Sequence, residues 1–234
     1  MKRKLLILLF LLSFPSALYV FLSVGKTNFI HLQYYGEKIP VANGKDTIYH
    51  TIKPFSFINQ DGKTITDKDF EGKIYVADYF FTTCKSICPK MTTEFIRVQR
   101  KFEYTKGLVQ LLSHTVDPEN DSVPVLKAYS KMVHADSTTW NFVTGDKKEL
   151  YDMARYSYLL NAMEGDGGPD DFIHSELFVL VDKEKHIRGI YDGTNIKAVN
   201  NLIDDVKVLI AEYMIKEKKD DKVVGAKDTA KTTK

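Results

Sequence analysis

The chain has 234 residues, of which 44% are hydrophobic and 27% are charged, values that indicate one folded domain with extensions and exclude a disordered chain. Its formal net charge of +2 is uneven, because Lys2, Arg3 and Lys4 supply +3, residues 216–234 supply another +3, and the stretch between them therefore carries −4. Nucleic-acid binders present a basic face to phosphates, so the mildly acidic central body excludes that class.

A continuous apolar segment follows the basic N-terminus. Residues Leu5 to Val24 are interrupted only by Ser and Pro, and a helix of that length rises about 30 Å, the thickness of a bilayer core. The preceding basic residues favour a cytoplasmic N-terminus. We therefore predict a single membrane anchor at residues 1–25, with the rest of the chain in the periplasm. No basic, Ser-rich transit peptide precedes the segment, which favours a bacterial inner membrane over a mitochondrial one.

A cleaved signal peptide is the alternative interpretation of this segment. Ser23-Val24-Gly25 fits the small-x-small pattern of a cleavage site, whereas the apolar run is longer than the usual core of a signal peptide. The sequence favours the uncleaved anchor.

The predicted domain covers residues 54–215. A polar connector at 26–53 precedes it, and a charged tail at 216–234 is predicted to be disordered because it has no apolar stripe. The first element of the domain is an N-terminal β-hairpin, whose strands at 55–58 and 64–66 flank a turn rich in Asn, Asp and Gly.

The remaining elements alternate between strands and helices. They are a buried strand at 74–81, a helix from Pro89 to Phe102, a strand at 108–112, a helix from Asp121 or Ser122 to about Val133, a strand at 140–143, a helix at 146–158, paired strands at 176–181 and 186–191, and a helix with an apolar stripe from Ile196 to Ile210. Such alternation predicts an α/β sheet covered by helices.

The two cysteines, Cys84 and Cys88, lie where the buried strand ends and a helix begins. A pair this close cannot close a long loop, so it would add little as a structural disulfide, and we interpret it as reactive or metal-binding. The N–H groups and dipole of a helix N-terminus stabilise thiolates. Thiolates are soft ligands for Cu(I) and Zn(II), and they are also the nucleophiles of disulfide exchange.

A third ligand would have to be one of the histidines. His174 is the first candidate, because it ends a Gly-rich acidic loop directly before an apolar strand, a position at which sheet proteins present functional groups. His114, at the end of an earlier strand, is a weaker candidate. From the pattern alone, a structural or surface role for His174 stays open.

Asp78 interrupts the apolar strand shortly before Cys84. Burial in a strand raises the pKa of a carboxyl group, so we predict that Asp78 accepts protons near neutral pH during thiol–disulfide exchange. The alternative is a structural role, with Asp78 bonded to the backbone or to a tyrosine.

Four segments together resemble the SCO/SenC family of cytochrome oxidase assembly factors. They are the C-x-x-x-C-P motif of Cys84–Pro89, the D-P-x-x-D motif of Asp117–Asp121, a strand-Thr-Gly-helix element at 141–150, and a His-Ser pair that opens the strand at 174–182. The resemblance covers about residues 54–213 in the family's order. It implies a thioredoxin-like fold, with a central mixed sheet flanked by helices, and a copper site whose ligands are Cys84, Cys88 and His174.

The resemblance further implies a metallochaperone that carries Cu(I) or Cu(II) to a respiratory oxidase, at the CuA site of cytochrome c oxidase. Its partner would be an oxidase subunit or another copper-receiving protein. Three protein ligands leave the metal open to a partner's thiol, whereas a structural zinc site would need a fourth. The alternative is a thiol–disulfide oxidoreductase that reduces the cysteines of a partner metal site; a thiol peroxidase has no matching motif here.

Two positions depart from the family's pattern. Lys85-Ser86-Ile87 stands where the family often has Pro and Asp after the first cysteine, and Ile173 stands where it often has Asp before the metal-binding histidine. Asp171 is a nearby carboxylate that can orient an imidazole. These departures bear on the geometry and affinity of the site, not on the identity of its ligands.

Overall fold

The computed structural model describes residues 13–14, 31–41, 46–160 and 175–231, with side chains as far as residue 218. The chain divides into two compact units, Met1–His31 and Leu32–Lys234. In the described part, no helix is both long and apolar enough to cross a bilayer. Of the predicted anchor, only the helical residues Ser13 and Phe14 are described, so the anchor stays a prediction.

A mixed seven-stranded sheet forms the centre of the second unit. The strands, of which the first two form a separate hairpin, are β1 (Lys38–Pro40), β2 (Thr47–Tyr49), β3 (Ser56–Asn59), β4 (Thr64–Thr66), β5 (Ile74–Phe80), β6 (Val109–Thr115), β7 (Trp140–Thr144), β8 (Leu177–Val181) and β9 (Ile187–Asp192). The order in the large sheet is β4-β3-β7-β6-β5-β8-β9. β5, β6 and β7 are parallel, and the outer pairings are antiparallel. The predicted β-hairpin corresponds to β3 and β4.

Helices cover both faces of this sheet. Those in the described part of the second unit are α1 (Cys88–Phe102), α2 (Val123–Met132), α3 (Lys147–Asp152) and α4 (Ile196–Lys231). Short 3₁₀ turns at Asp67–Phe70 and Glu103–Thr105 and a π-helical turn at Met153–Ser157 complete the set. Pro89 occupies the first turn of α1, where its missing N–H group breaks no helical hydrogen bond.

Alternate side chains of β5 enter two separate cores. Val76 and Phe80 pack in the cluster that contains Phe95 of α1 and residues of α4. Tyr75 and Tyr79 pack in the cluster on the opposite face, with the residues around α3. Each large side chain buried in this way contributes about 1.5–3 kcal/mol, so both cores hold the carboxyl end of β5 in place.

The segment predicted as a connector packs with the domain from Leu32 onward. β1 pairs with β2, and the ring of Tyr34 stacks on that of Tyr49 with centroids 4.2 Å apart. The compact unit therefore begins well before the predicted boundary at Pro54. The sequence pattern does not indicate this boundary, because backbone pairing and stacked tyrosine rings hold the segment, and neither produces an apolar stripe.

The last helix is longer than the sequence predicts. α4 continues to Lys231, whereas we expect disorder from Lys216 on the basis of composition. The Lys216 ammonium lies 2.6 Å from the Glu184 carboxylate, and Glu217 lies 3.2 Å from Lys183. Lysine and glutamate favour helix and can be held by ion pairs, so this extension needs no apolar stripe.

Candidate metal centre

The cysteine pair lies at the carboxyl end of β5. The strand ends at Phe80, and a turn follows in which the Cys84 N–H donates to the Phe81 carbonyl at 3.2 Å. Cys88 is the first residue of α1, and both cysteines are free thiols. One sulfur therefore comes from a turn and the other from a helix N-terminus, as the sequence predicts.

The two thiols have very different surroundings. Cys84 is half-buried; burial tends to raise its pKa, but hydrogen bonds from the Cys88 thiol and from the backbone of Cys88 and Ser86 lower that pKa to about 7. Cys88 is buried, and this burial, together with its hydrogen bond to Cys84, raises its pKa to about 12. At neutral pH, the Cys88 thiol therefore holds its proton and shares it with a Cys84 that is readily ionised.

Asp78 lies on the same face of β5 as Val76 and Phe80, and its side chain is buried at 4% exposure. This burial raises the pKa of the carboxyl group to about 7, although a hydrogen bond with Ser113 opposes the rise. Among the described residues, no group hydrogen-bonds to its Oδ1 atom. The charge of Asp78 also raises the pKa of Cys88, so the two groups interact electrostatically. In the described part of the chain, the hydrogen-bond partner of the carboxyl group is the Ser113 hydroxyl.

His114 lies on the opposite face of the sheet from the cysteines. Its ring stacks on Tyr79 with centroids 4.8 Å apart and meets Phe57 edge-on at 5.7 Å. Nδ1 lies 3.3 Å from the Asp78 carbonyl oxygen. Burial lowers the pKa of His114 to about 3, so the ring is neutral and packed in an aromatic core. The structure thus separates this weaker ligand candidate from the sulfurs.

His174 lies outside the described residues, together with Asp171 and Ile173. The described chain resumes at Ser175, directly before β8. β8 is antiparallel to β5, with Val179 opposite Ala77, so the start of β8 lies at the same end of the sheet as the end of β5. This topology is compatible with the predicted ligand set, and His174 as a ligand stays a prediction.

The SCO1/SenC family model matches residues 43–211 of the chain. This range covers the cysteine motif, the D-P-x-x-D motif and the strands that carry them. The chain belongs to the SCO1/SenC family. The four motifs singled out in the sequence therefore identify the family correctly.

Known relatives support this assignment along most of the domain. The SCO1 protein homolog of Bacillus subtilis is 32% identical over 164 residues, which cover 70% of this chain and 84% of the relative. BsSco, described as a member of the Sco family of cytochrome c oxidase assembly proteins with a disulfide switch, is 29% identical, with a TM-score of 0.59 over 76% of this chain and 98% of its own. Arabidopsis thaliana ScoI, solved with copper bound, is 30% identical, with a TM-score of 0.56 over 69% and 98%. The fold is thus the thioredoxin-like α/β fold of Sco proteins.

Tyr129 of α2 is a neighbour of the Sco cysteine pair that the sequence analysis missed. Its half-buried phenol oxygen lies 2.9 Å from the Thr92 hydroxyl oxygen on α1. Burial, together with the charges of Asp78, Cys88 and Cys84, raises the pKa of Tyr129 to about 12. Its sequence position, on a short helix of mixed polarity, gives no signal of this placement.

A second group of potential ligands, Asp182, Glu184 and His186, lies near the turn between β8 and β9, with donor atoms within 4.8 Å of one another. Asp182 already pairs with Arg188 at 2.9 Å and accepts the backbone N–H groups of Glu184 and His186. Glu184 pairs with Lys216. These groups are used by the fold, so the cysteine pair is the better metal centre.

Proposed function

We propose that this Sco protein is a copper metallochaperone that binds one copper ion through Cys84, Cys88 and His174. The observation that carries the proposal is a pair of free thiols between the carboxyl end of β5 and the start of α1, of which Cys84 is half-buried and Cys88 is buried. A relative 30% identical to this chain has been solved with copper bound. Two thiolates and one imidazole form a soft donor set, which suits Cu(I) and can also hold Cu(II).

The unequal thiols suit the loading and release of a metal. Cys84, whose pKa lies at about 7, is available as a thiolate before the metal arrives. Cys88 must lose its proton when it coordinates, so copper binding releases protons and weakens as the pH falls. With three protein ligands, the metal stays open to attack by a thiol of the receiving protein.

We further propose that residues 1–25 anchor the protein in a bacterial inner membrane, with the N-terminus in the cytoplasm and the domain in the periplasm. The apolar run after three basic residues supports this placement. The copper would pass to a respiratory oxidase, at the CuA site of cytochrome c oxidase. The related BsSco is described as a cytochrome c oxidase assembly protein, which supports this choice of partner.

Thiol–disulfide exchange is the second candidate function, favoured by the raised pKa of Asp78 beside the buried thiol. The Cys84 thiolate would attack a partner disulfide, forming a mixed disulfide and releasing one partner thiolate. Asp78 would take the proton of Cys88, whose sulfur then attacks the Cys84 sulfur and releases the second partner sulfur as a thiolate, to which Asp78 can pass the proton. The partner gains two electrons, and this chain is left with a Cys84–Cys88 disulfide.

An anaerobic Cu(I) titration of the purified full chain tests the proposed function. We expect one copper per chain in the wild type, and Cys84→Ser, Cys88→Ser and His174→Ala should each weaken binding by more than about tenfold, or about 1.4 kcal/mol. His134→Asn is the matched control, because this exposed histidine has a left-handed backbone that Asn tolerates. Wild-type affinity in His174→Ala would contradict the proposed ligand set, and disulfide exchange by a dithiol would then be the better account.

A further inference from the structure

Asp121 is a buried carboxylate in the loop between β6 and α2, with 1% of its surface exposed. Its oxygens accept the backbone N–H of Thr82 at 3.2 and 3.3 Å. They also accept the hydroxyl groups of Thr82 and Thr115. These partners of the Asp121 side chain all belong to the chain segments at the ends of β5 and β6.

The turn chemistry of this loop is provided by other residues. Ser122, not Asp121, is the N-cap residue of α2. Asp117 accepts the side-chain amide of Asn120 at 3.0 Å on the surface, and its carbonyl accepts the Asp121 N–H at 2.8 Å. A capping role therefore does not explain why the Asp121 side chain is buried.

Burial of a carboxylate is costly unless hydrogen bonds compensate for the lost water. Among the described residues, no cationic side chain forms an ion pair with Asp121. Its compensation comes from Thr82 and Thr115. The Asp121 carboxylate thus joins Thr82, which lies two residues before Cys84, to Thr115 at the end of β6.

The hydrogen bonds between Asp121 and Thr82 reach the turn that carries Cys84. Thr82 is part of the turn that the Cys84 N–H closes on the Phe81 carbonyl. Cys88 is placed independently, because it begins α1 and packs in the core beneath that helix. Cys88 is thus carried by the start of α1, whereas Cys84 is carried by a turn that the Asp121 carboxylate contacts through Thr82.

We propose that Asp121 is a positioning residue of the metal centre, which acts through Thr82 to hold Cys84 where it can share a metal with Cys88. This role rests on the proposed copper function. In the part of the chain that the structure describes, the Asp121 carboxylate is hydrogen-bonded to Thr82 and Thr115 and not to either cysteine. A loosened turn would still let the two thiols meet transiently, but a metal requires its ligands to be in place at the same time.

The test compares Asp121→Asn with Asp117→Asn in the full chain purified in detergent. Asn keeps the size of Asp121 but replaces one of its two acceptor oxygens with an NH₂ group, which cannot accept from the Thr82 N–H, so the contact to Thr82 should weaken. We expect Cu(I) affinity to fall by about 10- to 100-fold in Asp121→Asn, the range typical of residues that orient metal ligands. Asp117→Asn, in the same loop but half-buried and bonded to the exposed Asn120 side chain, should bind copper as the wild type does. Hydrogen exchange at the Thr82 amide should accelerate only in Asp121→Asn.

If Asp121→Asn is folded and binds copper with wild-type affinity, the proposal is overturned, whether or not hydrogen exchange at the Thr82 amide is faster. If Asp121→Asn does not fold, Thr82→Val takes its place, because it removes one donor and leaves the carboxylate with the others. Thr82→Val should then lower copper affinity severalfold, and an unchanged affinity would overturn the proposal.

Failure of the copper function itself is distinguishable. If the wild type binds no copper, the same variants are equilibrated with a fixed ratio of reduced to oxidised glutathione, and the fraction of Cys84–Cys88 disulfide is measured. A shift in Asp121→Asn but not in Asp117→Asn would support the positioning of Cys84. Equal fractions in all three proteins would overturn it.

Discussion

At the scale of single residues, the two cysteines differ only through their surroundings. Cys84 receives hydrogen bonds from its neighbours, so its pKa falls to about 7, whereas burial raises that of Cys88 to about 12. Cys84 is thus the better nucleophile, whereas Cys88 is buried and keeps its proton at neutral pH. Asp78 and His114 are two further buried titratable groups near this end of the sheet, and their pKa shifts have opposite signs.

Asp78→Asn should stabilise the protein at alkaline pH. The pKa of Asp78 is raised from 3.8 to about 7, so its contribution to stability is fully present below the unfolded value and is lost as the pH rises through 7. At about 1.4 kcal/mol per pKa unit, the variant should gain roughly 2–4 kcal/mol over the wild type at pH 8 and little at pH 4. Urea unfolding at both pH values measures this. Asp204→Asn, at an exposed position of α4, is the control; equal gains at the two pH values would contradict the assignment.

His114 should make the protein sensitive to acid. Its pKa is lowered from 6.5 to about 3, so the stability that the neutral ring provides is complete above pH 6.5 and declines as the pH falls toward 3. One such group changes the free energy of unfolding by up to about 1.4 kcal/mol per pH unit. His114→Phe should be less stable at pH 7, because it loses the bond to the Asp78 carbonyl, but its decline between pH 6.5 and 4 should be shallower. Urea unfolding across this range checks the slope, and an unchanged slope would show that other groups cause it.

At the scale of elements, an ion network joins the β8–β9 hairpin to the helix that crosses it. Arg188 of β9 lies 2.9 Å from Asp182 and 3.1 Å from Glu212 of α4, and it donates to the Leu32 carbonyl at 2.8 Å. Its guanidinium also lies 4.3 Å from the ring centroid of Tyr34. One buried side chain therefore holds the start of the compact unit, the sheet edge and the last helix together.

Arg188→Met should destabilise the fold without touching copper binding. Removal of one partner from a buried ion pair typically costs 3–5 kcal/mol, because a buried carboxylate is left without its cation. Thermal and urea unfolding should show a loss of about that size, with Cu(I) affinity unchanged at temperatures where the variant is folded. Lys207→Met, at an exposed pair with Asp204, should lose less than about 1 kcal/mol. A similar loss in both variants would contradict the central role of Arg188.

At the scale of the whole molecule, the sequence predicts the sheet well because its central strands are apolar runs bounded by turns. It also places Cys84 and Cys88 correctly, since a strand followed by Pro at a helix start is a local signal. It does not show which face His114 occupies, because both faces of β6 are buried and the alternation of polar and apolar residues is lost. It also gives no sign of the role of Asp121, because the partner through which Asp121 reaches the cysteine turn, Thr82, is 39 residues away in the chain.

The two ends of the domain are also not predicted correctly from the sequence pattern. The segment from Leu32 is held by tyrosine rings and backbone pairing, and the α4 extension is held at its start by the ion pairs of Lys216 and Glu217; none of these contacts leaves an apolar period in the sequence. A pattern-based boundary therefore falls inside the packed unit at both ends.

X-ray absorption spectroscopy at the copper edge of the loaded full chain tests the central claim most directly. The account predicts two sulfur ligands and one imidazole nitrogen on a single copper, with the nitrogen lost in His174→Ala and kept in His134→Asn. A coordination shell of sulfur alone in the wild type, unchanged by His174→Ala, would contradict it.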